Sequence, residues 1–212
     1  MLKAEHLSFR YRSQQPWILR DLSLELERGE VVGLTGPSGL GKTTIAKLLA
    51  GYLQPTQGKV TCNDQPLSNK GYCPVQLIFQ NPELAVNPRW RISKILAEGK
   101  PPSTDLLTSL GIHQSWLSRY PHELSGGELQ RIAVARSLNS STHYLIADEM
   151  TAMLDANTQA LIWQVVMKYS REHEVAILVI SHEAALLKRL CVGVAGRRHR
   201  TIDLSTLIYQ IR

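Results

Sequence analysis

The stretch from Gly36 to Thr43 constrains the fold more than any other part of this sequence, because it places a glycine-rich loop between an apolar strand and an amphipathic helix. Residues 30–34 predict the strand, and an apolar face that starts at Ile45 predicts a helix that stops at Gly51. The loop reads GPSGLGKT, which fits the phosphate-binding pattern G-x-x-x-x-G-K-[ST]. The alternative is a glycine-rich turn without a ligand.

A loop of this kind binds phosphate through its backbone. Glycines let it curl until successive N–H groups point at phosphate oxygens, and the N-terminus of the next helix adds partial positive charge. We expect Lys42 to reach the β- and γ-phosphates and the Thr43 hydroxyl to bind Mg²⁺. The loop alone predicts nucleoside triphosphate binding without choosing a class of NTPase. The predicted nucleotide-binding residues of this segment are Gly36, Pro37, Ser38, Gly39, Leu40, Gly41, Lys42, Thr43 and Thr44.

A second apolar run, residues 144–147, ends in the acidic pair Asp148-Glu149. A parallel strand delivers its last residues to the carboxyl edge of the sheet, where the phosphate loop also lies. Asp148 then binds Mg²⁺, directly or through water, and contributes to the nucleotide site. Glu149 polarises the attacking water as a general base. The alternative is a strand that merely ends in a solvated acidic pair.

Two further polar residues follow predicted strands. Gln80 comes after the strand over residues 75–79, and His182 follows the strand over residues 175–180. Single Gln and His residues are usually structural, but here both arrive at the same sheet edge. We expect Gln80 to sense Mg²⁺ and the attacking water and His182 to contact the γ-phosphate. The predicted catalytic residues are therefore Glu149, His182 and Gln80, and the predicted Mg²⁺ ligands are Thr43, Gln80 and Asp148.

Strands and helices alternate along the chain, which predicts an α/β fold with a mainly parallel sheet covered on both faces. The stretch from Pro82 to Leu124 differs, because prolines divide it into short pieces that predict a small inserted helical lobe. Ser125 is a good N-cap for a helix over residues 126–138. Residues 193–203 predict a terminal hairpin.

Composition excludes several classes of protein. The chain has 212 residues, 43% of them hydrophobic and 20% charged, which is typical of a globular domain and not of a disordered or collagen-like chain. No apolar run approaches the ~18 residues of a membrane helix, no secretory signal is present, and we expect a cytosolic protein. Three cysteines fit neither a disulfide framework nor a metal pair. The net charge of +6 permits several anionic partners, and the cluster Arg197 to Arg200 is either a solvated hairpin tip or a binding patch.

The segment Leu124-Ser125-Gly126-Gly127-Glu128 lies between the phosphate loop and the acidic strand. With it, the order of motifs resembles that of the ATP-binding cassette (ABC) ATPases over almost the full chain. The resemblance implies a P-loop NTPase cassette with a mainly parallel core sheet, an antiparallel β subdomain and an inserted helical subdomain. It implies a single ABC ATPase domain over residues 1–212, with an α/β core at 1–81 and 140–212 and a helical subdomain at 82–139 that carries the signature motif.

The same resemblance implies that two cassettes share each ATP. Ser125, Gly126 and Gly127 then bind in trans the ATP that the opposing subunit holds, and Asp155 in the D-loop joins the two sites. Tyr11 resembles the aromatic residue on which adenine stacks, its alternative being a surface tyrosine at a strand end. The sequence departs from the family pattern at Glu128 instead of Gln, at Met150 instead of Pro, and at Met153 in the D-loop, none of which removes a catalytic group.

A narrower resemblance is carried by FQNP at residues 79–82, VNPR at residues 86–89 and RYPHE at residues 119–123. These segments are similar to the oligopeptide, dipeptide and nickel importer cassettes. The resemblance implies an ATPase subunit of a bacterial importer that uses ATP and Mg²⁺, with peptide, nickel, cobalt or a metal chelate as cargo. A short permease helix would dock near residues 80–91.

The implied partners are membrane permease subunits, a second ABC ATPase subunit in a homo- or heterodimer, and an external substrate-binding protein in the same complex. No nucleic acid is expected. The implied location is peripheral, on the cytoplasmic face of the cell membrane. Two alternatives stay open. One is a catalytically weak nucleotide-binding partner subunit of a heterodimeric transporter, and the other is a soluble ABC ATPase that acts on nucleic acid.

Overall fold

The structure, a computed structural model, describes residues 1–67, 71–191 and 199–209, the last three without their side chains. Four strands, over residues 31–35, 75–78, 144–148 and 176–180, are short and mostly apolar, as the sequence predicts for a buried sheet. The strands are β1 (Leu2–Phe9), β2 (Leu19–Leu26), β3 (Val31–Thr35), β4 (Gln57–Cys62), β5 (Gln65–Pro66), β6 (Val75–Ile78), β7 (Tyr144–Asp148), β8 (Ala176–Ile180) and β9 (His199–Asp203).

Helices follow the strands at the positions where apolar residues recur with helical spacing. The helices are α1 (Lys42–Leu49), α2 (Ile92–Leu96), α3 (Thr104–Ser109), α4 (Gly126–Ser137), α5 (Ala156–His173), α6 (Ala184–Leu190) and α7 (Leu204–Tyr209). Single turns of 3₁₀ helix lie at Pro82–Ala85, Gln114–Trp116 and Pro121–Glu123. The proline-divided stretch thus holds short helical pieces, as its sequence predicts.

Two sheets organise the described residues. A five-stranded parallel sheet has the order β6-β7-β8-β3-β9, and a four-stranded antiparallel sheet has the order β2-β1-β4-β5. Along each central parallel strand, successive side chains enter opposite cores. In β7, for example, Tyr144 and Ile146 face the core on the side of α1, and Leu145 and Ala147 face the core on the side of α4 and α5.

The parallel sheet therefore separates two hydrophobic cores. One lies between the sheet, α1 and the antiparallel sheet. The other lies between the sheet, α5 and the helical stretch, where Ile92, Leu110 and Ile132 are buried together with Ile177 of β8. Helix α4 also packs directly on β6 and on the 3₁₀ turn Pro82–Ala85. These contacts fix the N-terminus of α4 relative to the end of β6.

The fold class predicted from the sequence is confirmed, with a parallel core sheet, an antiparallel sheet and helices. The predicted terminal hairpin is wrong at residues 199–203, because β9 pairs in parallel with β3, while residues 193–198 lie outside the described residues. Since β9 consists of half-buried and exposed residues, its pattern suits an edge strand as well as a hairpin. Of the charged cluster that begins at Arg197, the structure describes His199 and Arg200, both in β9.

The division into a core (1–81 and 140–212) and a helical subdomain (82–139) stays a prediction. Within the described ranges, no helix combines the length and the apolar character needed to cross a bilayer.

Candidate nucleotide site

The carboxyl ends of the parallel strands bring the predicted polar residues to one edge of the sheet. The register pairs Ile78 with Ala147 and Asp148 with Ile180, so that β6, β7 and β8 end side by side. The loop after β3 closes the same edge, and together these segments surround a cavity of about 510 Å³. The cavity is lined by Ile18, Ser38, Gly39, Gly41, Lys42, Thr43, Thr44, Gln80, Asp148, Glu149 and His182.

The phosphate loop depends on glycine at specific positions. Gly36, Gly39 and Gly41 have φ values of 143°, 83° and 93°, in the region that side chains rarely adopt. At Gly41 a Cβ atom would lie 2.9 Å from Cγ2 of Ile18, whereas at Gly39 it would meet nothing within 4 Å. Gly41 is also the N-cap of α1 and offers no side-chain cap, which leaves the first N–H groups of that helix available to an anion.

Lys42 is a buried cation that binds its own loop. Its Nζ donates to the carbonyl oxygen of Gly36 at 2.7 Å and of Pro37 at 3.0 Å. Burial lowers the pKa of Lys42, and the nearby carboxylates of Glu149 and Asp148 counteract that effect. A phosphate that enters the cavity would give this ammonium a stronger, charged partner.

Asp148 has the features of a metal ligand. It is 4% exposed, and burial raises the pKa of its carboxyl, opposed first by a hydrogen bond from the Thr43 hydroxyl. Its Oδ1 has no hydrogen-bond partner in the part of the chain that is described. A buried carboxylate oxygen without a partner is costly. Carboxylate, hydroxyl and amide oxygens from Asp148, Thr43 and Gln80 form the hard donor set that Mg²⁺ prefers, so these residues fit the ion.

Glu149 is held in a strained backbone conformation beside His182. Its φ is 52°, and its N–H donates to the Ile180 carbonyl at 3.0 Å. His182 Nε2 lies 3.1 Å from Glu149 Oε1. Burial raises the pKa of the Glu149 carboxyl; His182 and Lys42 lower it, while Asp148 raises it further. A carboxylate with a raised pKa that faces a polar cavity is suited to act as a general base.

The turn after Glu149 is fixed by side chains that sequence reasoning missed. The Thr151 hydroxyl is buried and accepts from Gln159 Nε2 at 3.1 Å and from Trp163 Nε1 at 3.0 Å, both on α5. Ile18 is another missed residue, since it lines the nucleotide cavity from the start of β2. A local pattern gives no sign of either arrangement, because the partners of Thr151 lie on the next helix and Ile18 lies outside the segment of the phosphate loop.

Ser125, Gly126 and Gly127 lie at the N-terminus of α4 and do not line this cavity. Ser125 and Glu128 form a capping box, in which Ser125 N donates to Glu128 Oε2 at 2.7 Å and Glu128 N donates to Ser125 Oγ at 3.3 Å. The hydrogen bond from the Ser125 backbone lowers the pKa of Glu128, so this position carries a negative charge at neutral pH.

Asp155 and Tyr11 also lie outside the cavity lining. Asp155 is the N-cap of α5 and accepts from the backbone N–H groups of Asn157 and Thr158, both at 3.0 Å. Tyr11 is 57% exposed, and its ring packs edge-on against Phe9 with 5.0 Å between centroids. Both side chains are therefore accessible to a partner or a ligand.

Comparison with known proteins places this arrangement among ABC cassettes. Residues 19–152 match the family model described as ABC transporter. The chain is 32% identical over 190 residues to the probable D,D-dipeptide transport ATP-binding protein DdpF of Escherichia coli, which covers 84% of this chain and 59% of that protein. It is 33% identical over 200 residues to the putative oligopeptide transport ATP-binding protein YkfD of Bacillus subtilis, covering 84% of this chain and 61% of that one.

The nickel import ATP-binding protein NikE of Escherichia coli is 33% identical over 208 residues, covering 89% of this chain and 78% of NikE. The chain thus spans about three fifths of the length of DdpF and YkfD. Among solved structures, the dimeric ATP-binding cassette MJ0796 bound to ADP and Pi matches with a TM-score of 0.73 at 22% identity, covering 88% of this chain and 90% of that one. CbiO1 from Clostridium perfringens matches with a TM-score of 0.71 at 24% identity, covering 90% and 81%.

Proposed function

The chain belongs to the ABC transporter family, and on that premise we propose that it is the ATP-hydrolysing subunit of an importer of the peptide and nickel class. The single observation that carries the proposal is the convergence of the phosphate loop, the unpaired Asp148 carboxylate oxygen, and the pair Glu149–His182 around one cavity. Each of these groups suits one part of phosphoryl transfer.

The phosphate loop and Lys42 bind the triphosphate of ATP. The backbone N–H groups that follow Pro37 in the loop surround the phosphates, and the Lys42 ammonium exchanges the carbonyls of Gly36 and Pro37 for phosphate oxygens. Thr43, Asp148 and Gln80 hold Mg²⁺, which when bound neutralises charge on the phosphates. We assign Ile18, which lines the cavity, and the exposed ring of Tyr11 to the adenosine side of the site.

Glu149 is the general base for the attacking water. Its strained backbone and the hydrogen bond of its N–H to Ile180 fix the carboxylate at the cavity wall, and the buried Thr151 supports the turn that follows. His182, 3.1 Å from the carboxylate, orients it and reaches the γ-phosphate. Gln80 senses the water and the metal from the end of β6.

A second cassette completes the site. Since Ser125, Gly126 and Gly127 lie outside the cavity of their own chain, we place them on the ATP that the opposing cassette holds. Asp155, exposed at the start of α5, joins the two sites across that interface. The partner is a second copy of this chain or a related cassette.

The transporter supplies the remaining partners. Permease subunits hold the cassettes peripherally on the cytoplasmic face of the membrane, and an external binding protein delivers cargo to the same complex. Leu84, at 74% exposure, lies within the 80–91 surface that we assign to a permease helix. The cargo class is peptide, or nickel or cobalt as the ion or a chelate, because the relatives named above are dipeptide, oligopeptide and nickel import proteins.

Co-purification of the membrane complex tests this proposal directly. The tagged chain, co-expressed with its permease, is expected to co-purify with permease subunits. The purified complex is expected to hydrolyse ATP faster when binding protein loaded with cargo is added. An assembly with no membrane subunit, or hydrolysis that depends on nucleic acid, would contradict it.

A second candidate function is a catalytically weak partner subunit in a heterodimeric transporter. The negative charge of Glu128, where the family has Gln, favours it, because this carboxylate lies beside Ser125 at the face offered to the phosphate of the opposing cassette. The two candidates differ in turnover. If the chain is the ATP-hydrolysing subunit, the purified chain hydrolyses ATP by itself. If it is the weak partner subunit, hydrolysis is seen only when a related cassette is present.

A further inference from the structure

Gln130 connects the signature helix to the strand that ends at Gln80. It lies in the second turn of α4, is 1% exposed, and donates from Nε2 to the carbonyl oxygen of Phe79 at 3.4 Å. Phe79 is the residue immediately before Gln80. One buried amide thus joins the segment that follows Gly127 to the segment that senses Mg²⁺ and water.

The other end of the Gln130 amide is free. Its Oε1 has no hydrogen-bond partner within the described residues. A second cavity, of about 290 Å³, adjoins it, and Gln80, Gln130, Gly126 and Gly127 all line this space. Gln80 is exposed and also lines the nucleotide cavity. Gln80 therefore borders both the nucleotide cavity and the cavity beside Gln130.

Apolar side chains other than the Gln130 amide bury one face of α4. Leu129, Ile132 and Val134 are almost fully buried in the core beside the sheet. A buried amide with one unpaired end is unfavourable unless a partner arrives in another state of the molecule. The Gln80 amide, on the wall of the same cavity, supplies donors of the right chemistry for this acceptor.

We propose that Gln130 is a positioning residue that couples Gln80 to the signature segment Ser125–Gly127. The Gln130 carbonyl accepts from the Gln80 amide when Gln80 is turned away from the nucleotide, and releases it when Gln80 turns to Mg²⁺ and the water. Occupancy of one ATP site is thereby transmitted to the turn that this chain offers to the other site. The inference rests on the proposed function, since it assigns Gln80 to the metal and α4 to the opposing ATP.

Steady-state kinetics of Gln130→Met in the full chain test the proposal, because Met has the same length without either hydrogen-bonding group. We expect kcat to fall about tenfold while the KM for ATP changes less than about twofold. In a Gln80→Ala background, Gln130→Met is expected to cause no further loss, because the two residues act as one unit. Ser137→Ala is the matched control, since it removes another buried hydrogen bond of α4, to Ala133, far from Gln80.

Hydrogen exchange supplies a readout that needs no turnover. At concentrations where the chain is monomeric, no opposing phosphate touches α4, so Mg-ATP can change exchange at residues 126–131 only from the chain's own site. We expect that change in the wild type and in Ser137→Ala, and its loss in Gln130→Met. An unchanged response in Gln130→Met, or no response in the wild type, would overturn the coupling. Failure of the proposed function is distinguishable, because it would appear as an assembly without membrane subunits or as a wild type that does not bind ATP, and not as an unchanged exchange response in Gln130→Met.

Discussion

The edge of the parallel sheet and the N-terminus of α4 both offer groups to a nucleotide, but they are built in opposite ways. At the sheet edge, Lys42, Asp148 and Glu149 are desolvated, and burial is the main cause of each pKa shift. At α4, Glu128 is little buried, and hydrogen bonds within the turn lower its pKa. The sheet edge holds buried charged side chains that a ligand can stabilise. At the α4 turn, Ser125 and Glu128 form hydrogen bonds with each other and the turn remains accessible to solvent.

The sheet edge is therefore a site formed within one chain, whereas the α4 turn forms only half of a site. The sheet edge assembles its groups around one cavity from several strands of the same chain, so its chemistry needs no second protein to bring the groups together. The turn at α4 borders a smaller cavity, of about 290 Å³, whose lining includes none of Lys42, Asp148 and Glu149. The exposed backbone of this turn acquires low-dielectric surroundings only when another surface covers it. We therefore expect changes at the sheet edge to act on chemistry and binding, and changes at α4 to act on stability and association.

The largest effect is expected from Glu149→Gln. Loss of a general base lowers kcat by about 10²- to 10⁴-fold, and the affinity for Mg-ATP should change by less than about threefold, since the amide keeps the shape of the side chain. Glu183→Gln is a matched control, because this exposed carboxylate belongs to the surroundings that raise the Glu149 pKa. Unchanged turnover in Glu149→Gln would remove Glu149 from the role of base.

Lys42→Ala tests ATP binding by the phosphate loop at the sheet edge. A charge-assisted hydrogen bond contributes about 1.5–3 kcal/mol, so the Kd for ATP is expected to rise by about ten- to a hundredfold. Titration with a fluorescent ATP analogue measures it. Lys168→Ala, an exposed lysine on α5, should leave the affinity as it is. A wild-type affinity in Lys42→Ala would contradict the assignment of the phosphate loop.

The pH profile sharpens the contrast between the two carboxylates. Because the pKa of Glu149 is raised, its basic form is lost at a higher pH than the ~4.3 of an ordinary glutamate. The fall of kcat on the acid side, measured at saturating Mg-ATP, should therefore begin at a higher pH than for a base with an ordinary glutamate pKa. The residual rate of Glu149→Gln should not share this titration. An acid-side midpoint of the wild-type kcat at or below the ordinary ~4.3 would contradict the raised pKa.

Glu128→Ala is expected to act on stability. Loss of the capping box should lower the free energy of unfolding by about 1 kcal/mol at neutral pH, measured by urea denaturation. Because the folded-state pKa of Glu128 is depressed, its contribution is complete above the unfolded pKa and is lost as the pH falls through the folded pKa. The difference from the wild type should then shrink in acid. Glu128→Gln keeps an acceptor and should lose less.

Tyr144→Phe gives the smallest effect and compares the two ends of β7. Tyr144 is fully buried, burial raises its pKa to about 12, and its hydroxyl has no partner in the described part of the chain. Asp148, at the other end, also has an unpaired oxygen. We expect Tyr144→Phe to change the free energy of unfolding by less than about 1 kcal/mol, toward greater stability, and to leave ATPase activity intact. A loss of turnover would show that the unpaired hydroxyl has a function.

The sequence predicts the sheet edge well because its signals are local. An apolar strand followed by polar residues needs no distant partner to be recognised, and this holds for Asp148 and for His182. The direction of β9 could not be predicted, since an edge strand and a hairpin share one pattern. The link from Gln130 to Phe79 spans 51 residues, and the Thr151 contacts reach into α5. Such partners are decided by packing.

The resemblance to ABC ATPases supplies what the local signals lack. Nothing in the spacing of Ser125, Gly126 and Gly127 indicates a ligand on another chain, and the structure shows only that they lie outside their own nucleotide cavity. The capping box at Glu128 could be predicted from the Ser-x-x-Glu spacing, but its effect on an opposing phosphate depends on a partner.

Sedimentation of the Glu149→Gln chain with and without Mg-ATP is the most direct test that each nucleotide is shared between two cassettes. We expect a monomer without nucleotide and a dimer with Mg-ATP, and we expect Ser125→Arg, at the α4 turn, to abolish that dimer while a single chain still binds ATP. A chain that stays monomeric at every concentration with ATP bound, while the wild type hydrolyses ATP at a rate per molecule independent of concentration, would contradict the shared site.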